Sequence, residues 1–539
     1  MHRSRVLAGA VLTALLAACG GGGDDGAGPA APGALSLACS GAQCGASDAQ
    51  TYRGGGVGIW RYDNSGSRSR AEVPVTLNGV SGRSVMLIFT NVSDQEVSMP
   101  SIGLQTSGGS ASVKAEDPPE PAHRPGFNQI PPHIREYRPP LEQASQAPAR
   151  QDRVTAAVRA TAVGDKHEWM DSSGRTFPAT LERRWPAHDG RMLNLWVQDR
   201  QSGDAHPVDV PESILDDLVA RFSSGPDSVY PIVTDLAGAP WGPTVGGGYI
   251  GPNEDLHIVL SNLTPDGQAW GLVGYFFSAN TFLKSYEPLS NEALALFVDT
   301  ETLTLGGEAG RNTAYSTLAH EMTHMVNFYQ RAARTGINPD NRFALWLEET
   351  SALMMEDIAS GRVLPGFSPL RDSDFSTWLS RSVNCDYIRE WDADASSSCF
   401  SYPIANSFGG YLLRQHGIGF YRNLLRDTSS TDSFALLDHA IRQAGGAGAR
   451  AALRDWGAAI ALLPAAPPAG FGHPARAEGG YSLPAVNGRD YAASRRLPGS
   501  VPATLKASGH FPVERRPGGS IYSESITVPA GSALTIVVQ

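Results

Sequence analysis

Hydrophobic residues recur at helical spacing near the middle of the chain, in a stretch from 312 to 334 without Gly or Pro. Four of them follow the i, i+4, i+7, i+11 spacing of a buried helical stripe, namely Leu318, Met322, Met325 and Tyr329. Asn312 or Thr313 can cap the start of this helix, and Gly336 can supply the left-handed residue after its end. The pattern predicts an amphipathic helix with one face turned inward.

A second helix is predicted from 342 to 360, where a largely apolar run ends at Gly361. Two short apolar runs, 255–260 and 294–299, are typical of buried strands. The segment 270–280 is aromatic and β-branched at its centre, which favours a strand. We predict that it forms the edge of the sheet.

Turn-forming residues divide the chain into several units. With 539 residues it exceeds the roughly 250–300 residues at which one core usually splits, so a multidomain α+β fold is predicted. Strand patterns near both ends predict small β-sandwich-like modules, the first of which could instead be a removable pro-segment. The predicted units are a signal peptide at 1–18, a flexible tether at 19–47, a β-rich module at 48–112, an extended Pro-rich linker at 113–152, a central domain at 153–465 and a second β-rich module at 466–539.

Charge and the N-terminus narrow the possible partners and location. A formal net charge of −11 argues against nucleic acid, whose recognition relies on basic surface. Arg3 and Arg5 precede an apolar run, 6–18, that is too short to span a bilayer. The run closes on LAAC, which resembles the bacterial lipobox, and Cys19 would then carry lipid. Because Gly20 stands where an inner-membrane lipoprotein commonly has Asp, an outer-membrane or cell-surface lipoprotein is expected. An ordinary cleaved signal peptide is the alternative.

Four cysteines remain once Cys19 is set aside. Export makes disulfides plausible, and pairing between neighbours is the simplest of the three possible connectivities. The predicted disulfides are Cys39–Cys44 and Cys385–Cys399.

The pentapeptide HEMTH at 320–324 matches the H-E-x-x-H pattern of zinc metallopeptidases. Residues four apart lie on one face of a helix, so His320 and His324 can bind the same Zn²⁺. Glu321 lies about 100° further round the helix, where it can miss the metal and still reach a water bound to it. An exposed helix with two solvated histidines is the alternative, and the buried stripe beside them disfavours it.

A catalytic zinc usually takes a third protein ligand, and the second helix offers four acidic residues, Glu348, Glu349, Glu356 and Asp357. The segment WLEETSA at 346–352 resembles the W-L-N-E-G-x-A segment of zinc peptidases whose third ligand is a Glu. That resemblance implies Glu349 as the ligand, with Glu348 as the alternative.

Thermolysin-type enzymes carry an Asp four residues after the ligand Glu, and this chain has Leu353 there. The task of orienting a ligand histidine then falls to Glu356 or Asp357. Solvated positions near a helix end are the alternative for both.

The combination of HEMTHMVNF, LWLEETSALMMEDI and SYPIANSFGGYLLRQHG resembles the hyicolysin family of secreted bacterial neutral metallopeptidases, over roughly 185–435. The resemblance implies a thermolysin-like zincin domain, with a mixed-sheet lobe and a helical lobe, at 153–465. It implies one catalytic zinc; the sequence does not decide on calcium.

The expected activity is hydrolysis of protein or peptide substrates by an anchored endopeptidase, with Glu321 as general base. Related zinc peptidases place a Tyr in an S-Y-x-x-G/A segment, which SYPIA resembles, so Tyr402 is the candidate donor to the oxyanion. Tyr411 and His416 are alternatives. A non-catalytic surface adhesin on the same fold is the competing function. An aminopeptidase is disfavoured because no G-x-M-E-N segment is found.

Overall fold

The computed structural model describes residues 35–104, 127–148, 162–201, 205–336, 341–464 and 466–539. Cys19 and the predicted signal peptide lie outside these residues. The strands within them are β1 (Ser36–Leu37), β2 (Gly58–Asp63), β3 (Ala71–Asn78), β4 (Val85–Asn91), β5 (Val97–Ser98), β6 (Lys166–Met170), β7 (Thr176–Pro186), β8 (Met192–Gln198), β9 (Leu256–Ser261), β10 (Gly274–Phe276), β11 (Leu294–Asp299), β12 (Arg476–Glu478), β13 (Tyr481–Leu483), β14 (Thr504–Leu505), β15 (His510–Arg515), β16 (Ile521–Val528) and β17 (Ser532–Val538).

The helices of the same residues include one long pair at the centre of the chain. They are α1 (Pro132–Arg135), α2 (Leu141–Gln146), α3 (Glu212–Ser223), α4 (Val229–Ala237), α5 (Thr300–Leu305), α6 (Gly307–Phe328), α7 (Leu345–Val363), α8 (Phe375–Ser380), α9 (Ser401–Arg426), α10 (Ser433–Gln443) and α11 (Ala449–Gly457). Among the described residues, no helix has the length and apolar character needed to cross a membrane.

A six-stranded mixed sheet forms one side of the central region, in the order β10-β11-β9-β8-β7-β6. Strands β8, β9 and β11 are parallel to one another, whereas β10, β7 and β6 pair antiparallel. Every residue of β9 and β11 is buried, which accounts for their continuous apolar sequences. The two predicted strands and the placing of 270–280 at the sheet edge are confirmed.

Helix α6 crosses from the sheet into the helical part of the molecule. It begins at Gly307, five residues before the predicted start, because Gly307 adopts a φ of 61° and lets the chain turn directly from α5 into α6. A π-helical turn at Tyr329–Ala333 extends it, and Gly336 has a φ of 71°. The predicted helix and its left-handed end are confirmed, while capping by Asn312 or Thr313 is wrong.

Helix α7 packs against both α6 and α9. It runs through Gly361 to Val363, whereas the sequence predicts that it stops at Gly361. A Cβ on Gly361 would lie 2.6 Å from the carbonyl oxygen of Ser482 in β13. The glycine therefore allows close approach of a strand and does not end the helix.

Strands from the two ends of the chain share one sheet, in the order β1-β2-β17-β4-β15. Strand β17 lies between β2 and β4, and β16 and β14 pair with β3 and β5. All of Ser532–Val538 is buried, so this apolar strand requires a partner on each side. The two expected flanking modules are therefore joined in one structure, and β1 belongs to it although it falls in the expected tether.

The expected extended linker at 113–152 is structured in its second half. Residues 127–148 include α1 and α2, and they bury Phe127, Leu141, Ala144 and Ala147 against the rest of the protein. The frequent prolines of this segment predict an extended linker, and the few apolar residues that it buries give no periodic pattern. The mixed α+β class is confirmed, as are the disulfides Cys39–Cys44 and Cys385–Cys399.

Candidate metal centre

Three predicted ligand residues meet where α6 packs against α7. Nε2 of His320 lies 3.2 Å from Oε2 of Glu349, and Nε2 of His324 lies 3.7 Å from the same oxygen. The three side chains offer ligand atoms within 4.8 Å of one another. The contact between the helices thus brings Glu349 next to two histidines that lie 25 and 29 positions earlier in the chain.

The cluster fits a zinc ion. Four ligands at about 2.0–2.1 Å in a tetrahedron would be roughly 3.3 Å apart, close to the separations found here. Two imidazoles and one carboxylate also form a known catalytic zinc set, which leaves a fourth position for water. His320, Glu349 and most of His324 are shielded from solvent, so an ion bound here would be largely removed from bulk water.

Two further carboxylates contact the other ring nitrogens. Nδ1 of His324 lies 2.8 Å from Oε1 of Glu348, and Nδ1 of His320 lies 2.9 Å from Oε1 of Glu356. Each carboxylate can fix the orientation of a ring whose Nε2 faces Glu349. Asp357, the other acidic candidate, is bound instead to Arg414.

Charges within the cluster shift its ionisation in the absence of a cation. Burial favours a neutral ring at His320, but hydrogen bonding to Glu349 and Glu356 raises its pKa to about 9. Burial has the same effect at His324, where the charge of Glu349 and the bond to Glu348 lift the pKa well above its usual value. Burial opposes ionisation of Glu349, yet the two histidines hold its pKa well below normal. A cation would replace protons in balancing these carboxylates.

Glu321 lies beside the cluster and is 3% exposed. Its Oε2 accepts a hydrogen bond of 2.8 Å from the backbone N–H of Phe276 in β10, and its Oε1 accepts one of 3.2 Å from Nδ2 of Asn128. Burial raises the pKa of Glu321, although both histidines act against it. A raised pKa suits a carboxyl group that must accept and release a proton.

Tyr402 stands in the first turn of α9, and its ring packs against Trp391 and Phe400 at 5.1 and 5.7 Å. The hydroxyl is buried and interacts with the carboxylate of Glu349. Burial, followed by the negative charge of Glu349, holds its pKa well above the usual value. Tyr402 is therefore a protonated donor near the cluster.

The two alternatives to Tyr402 are engaged elsewhere. The hydroxyl of Tyr411 donates to the carbonyl oxygen of Gly470 at 3.0 Å. The ring of His416 packs against Phe420 at 5.5 Å, and burial lowers its pKa to about 4.

A cavity opens beside the cluster. Its walls combine Glu321, His324 and Glu349 with residues from α1 and its flanks, from β10 and from the start of α7; these are Ile130, Ile134, Arg135, Tyr137, Phe276, Ser278, Asn327, Phe328, Arg331, Arg342, Phe343, Leu345 and Glu348. The cavity places apolar surface next to the ligand group, as expected of a substrate cleft.

Two residues that form hydrogen bonds at the site were not predicted from the sequence. Nδ2 of Asn327 donates to Oε1 of Glu348 and to Oγ of Ser351, at 3.1 Å each, so it steadies the carboxylate that contacts His324. Its spacing of three residues from His324 is a helical signal that could have revealed it. Asn128 has no such signal, because it lies in a Pro-rich stretch 193 residues before Glu321.

These features define the class of protein: a mixed sheet and two packed helices that present a His-His-Glu group, with a glutamate beside it. The chain belongs to the peptidase M30 family, whose model matches residues 171–539. The resemblance to hyicolysins is confirmed at this level. A second family model, DUF8571, a domain of unknown function, matches residues 37–104.

Individual relatives are distant. Neutral metalloprotease ShpI of Staphylococcus hyicus is 22% identical over 264 residues, which are 48% of this chain and 53% of ShpI. The chain thus spans about half the length of this curated relative. An M1 zinc metallopeptidase from Deinococcus radiodurans is a similar solved structure at 14% identity and a TM-score of 0.30, covering 54% of this chain and 57% of that one. A two-domain M1 zinc metallopeptidase variant bound to L-arginine gives 12% identity and a TM-score of 0.29, with 52% and 56% covered.

Proposed function

We propose that the protein is a zinc-dependent endopeptidase with a thermolysin-like arrangement of its cleft. The observation that carries the proposal is the meeting of His320, His324 and Glu349 around one point, with Glu321 alongside. Family membership supports a peptidase, and the residues that support this chemistry all lie within the matched region.

The division of labour follows from the contacts. His320, His324 and Glu349 would hold the zinc, which when bound lowers the pKa of water to about 7 and polarises the scissile carbonyl. Glu321 would take a proton from the attacking water and deliver it to the departing amine. Its raised pKa favours the first of these transfers, the acceptance of a proton from water.

Tyr402 would donate its hydroxyl proton to the oxygen that gains charge during attack. The interaction of that hydroxyl with Glu349 places it beside the ligand group. Substrate would bind as an added strand along β10, whose main-chain groups accept many sequences. This mode of binding favours cleavage within chains of varied sequence.

Hydrolysis of casein by a soluble form that starts after Cys19 tests the proposal. The wild-type protein should bind about one zinc per chain and cleave casein, while Glu321→Gln should keep the zinc and lose about 10²–10⁴-fold in rate. Equal rates in the two proteins would reject Glu321 as the base. Zinc binding without hydrolysis, both by the intact protein and after cleavage within 105–126 and 149–161, would favour the alternative, a non-catalytic adhesin.

We also propose that Cys19 carries a lipid that anchors the protein in the bacterial envelope, outside the inner membrane. The support is the LAAC tetrapeptide after a short apolar run. Labelled fatty acid should be incorporated by the wild type in its host and not by Cys19→Ser. Equal labelling would overturn the assignment.

A further inference from the structure

Residues 127–148, here called the strap, lie along the open edge of the six-stranded sheet next to the metal centre. Asn128 forms a parallel bridge with Gly271, and the backbone N–H of Gln129 donates to the carbonyl of Gly271 at 2.8 Å. The strap therefore meets the sheet just ahead of β10, the strand along which we place the substrate.

The carboxamide of Asn128 imitates a peptide group of a bound substrate. Its Oδ1 accepts from the N–H groups of Val273 and Gly274 at 2.8 and 3.3 Å, while its Nδ2 donates to the carbonyl of Gly274 at 2.7 Å. An extended substrate on this edge would use the same main-chain groups. One side chain thus fills hydrogen-bonding positions that a peptide needs.

The same amide also engages the proposed base. Nδ2 of Asn128 donates to Oε1 of Glu321, and the N–H of Phe276 already donates to Oε2. Each oxygen of Glu321 therefore already accepts one hydrogen bond, and release of Asn128 would leave Oε1 with its full accepting capacity for a water. Further along, Ile130, Ile134, Arg135 and Tyr137 wall the cavity over the ligand group.

The C-terminal end of the strap is held against the central domain by backbone hydrogen bonds. The N–H groups of Gly247 and Gly248 donate to the carbonyls of Ala147 and Ala144 at 2.8 and 3.0 Å. A Cβ at either glycine, or at neighbouring Gly246, would overlap the strap's backbone. The close fit of Gly246, Gly247 and Gly248 to α2 and the residues after it explains why three glycines stand together.

Two observations separate the strap from the catalytic unit. It lies outside both matched regions, 37–104 and 171–539. The strands before it are held by β15 and β17, so freeing the strap would not detach them.

We propose that the strap is an internal inhibitor that occupies the substrate edge and holds the peptidase latent until it is released. This inference rests on the proposed function. If the released state is populated at about 1–10% in the intact chain, full release should raise kcat/KM about 10–100-fold.

Release can be imposed on the full chain by placing sites for a sequence-specific protease within 105–126 and 149–161. Activity on a quenched fluorescent peptide is measured before and after both sites are cut. A synthetic peptide of residues 127–148 is then added back, and its binding to the cut, zinc-loaded protein is followed by fluorescence anisotropy. The peptide should bind and inhibit competitively, and one with Asn128→Ala should do both about 10-fold less well.

Point variants of the uncut chain supply the matched control. Asn128→Ala should raise kcat/KM, whereas Gln146→Ala, on the exposed side of α2, should not. Unchanged activity after cutting, with no peptide binding, would overturn the strap proposal and leave the peptidase intact. Loss of activity or of zinc on cutting would instead show that the strap is a structural part of the active site. That outcome would also overturn the proposal. Asn128-dependent binding without hydrolysis in any form would reject the peptidase and retain the strap as a ligand of the cleft.

Discussion

Three of the four acidic side chains of α7 contact the two histidines, and the fourth pairs with an arginine. Glu349 meets both histidines, Glu348 and Glu356 each contact one ring at Nδ1, and Asp357 pairs with Arg414. Residues seven apart lie on nearly the same helix face, so Glu349 and Glu356 both reach His320, whereas Asp357 is turned about 100° from Glu356 and meets Arg414. The partner of each carboxylate thus follows from its position around α7.

Alanine at these positions should rank them by zinc affinity. Glu348→Ala and Glu356→Ala should weaken zinc binding about 10–100-fold, because each removes an orienting partner. Glu349→Ala should weaken it more than either, because it removes a ligand. Competition with a chelator of known affinity measures all three. A greater loss in Glu348→Ala than in Glu349→Ala would reassign the third ligand.

Tyr402→Phe should lower kcat by about 10²–10³-fold, the usual effect of removing an oxyanion donor. KM and zinc content should stay close to wild type, because the hydroxyl acts on charge that develops during the reaction. Tyr411→Phe is the matched control, since its hydroxyl is bound to the carbonyl of Gly470. Similar kcat losses in both variants would remove Tyr402 from the mechanism.

At the scale of elements, the position of α7 is fixed by a buried ion pair with α9. Nη1 of Arg414 lies 2.5 Å from Oδ2 of Asp357, and neither side chain is exposed. Arg414 also donates to the carbonyl of Pro484, which ties the segment after β13 to the same point. The helix that bears Glu349 is thereby held by α9 as well as by α6.

Asp357→Ala should lower the free energy of unfolding by about 3–5 kcal/mol, because it leaves a buried guanidinium without its partner. Asp209→Ala breaks the exposed pair with Arg200 and should cost no more than about 1 kcal/mol. Urea unfolding of both variants gives the comparison. Equal small effects would show that the pair does not hold α7.

The sequence predicts the presence of α6 and α7 but not the residues at which they begin and end. The apolar stripe identified α6 and placed HEMTH on it, and the largely apolar run at 342–360 identified α7. Their ends depended on Gly307 and Gly361, whose roles follow from a turn and from contact with β13. Periodicity reports which face is buried; it carries no information on what meets the end of a helix.

At the scale of the whole molecule, three buried histidines make stability depend on acid. His257, His473 and His510 are each nearly inaccessible to solvent, and burial lowers the pKa of each to about 3. They are neutral in the fold, with hydrogen bonds to Trp196, Ser407 and Thr90 respectively.

Between pH 6.5 and 3 the unfolded chain binds protons at these histidines that the folded chain does not. Lowering the pH through that window therefore favours unfolding, by about 1.4 kcal/mol per pH unit for each histidine. The contribution is absent above pH 6.5, where both states are neutral. In urea unfolding from pH 6.5 to 4.5, the free energy of unfolding of His510→Gln should fall less steeply with decreasing pH than that of the wild type. The difference in slope should correspond to about one fewer proton bound on unfolding. Parallel slopes would show that His510 is protonated within the fold.

The sequence by itself determined the mixed α+β class, the two central helices, the buried strands and the disulfide pairing, because all of these are written in local spacing or in the position of neighbouring cysteines. It also singled out His320, Glu321, His324 and Glu349, since helical spacing and family motifs are local too. Tertiary structure alone decided that strands from both ends of the chain form one sheet and that Asn128 reaches Glu321. Those contacts join residues hundreds of positions apart, and they arise from the need to pair exposed strand edges, which leaves no periodic trace along the chain.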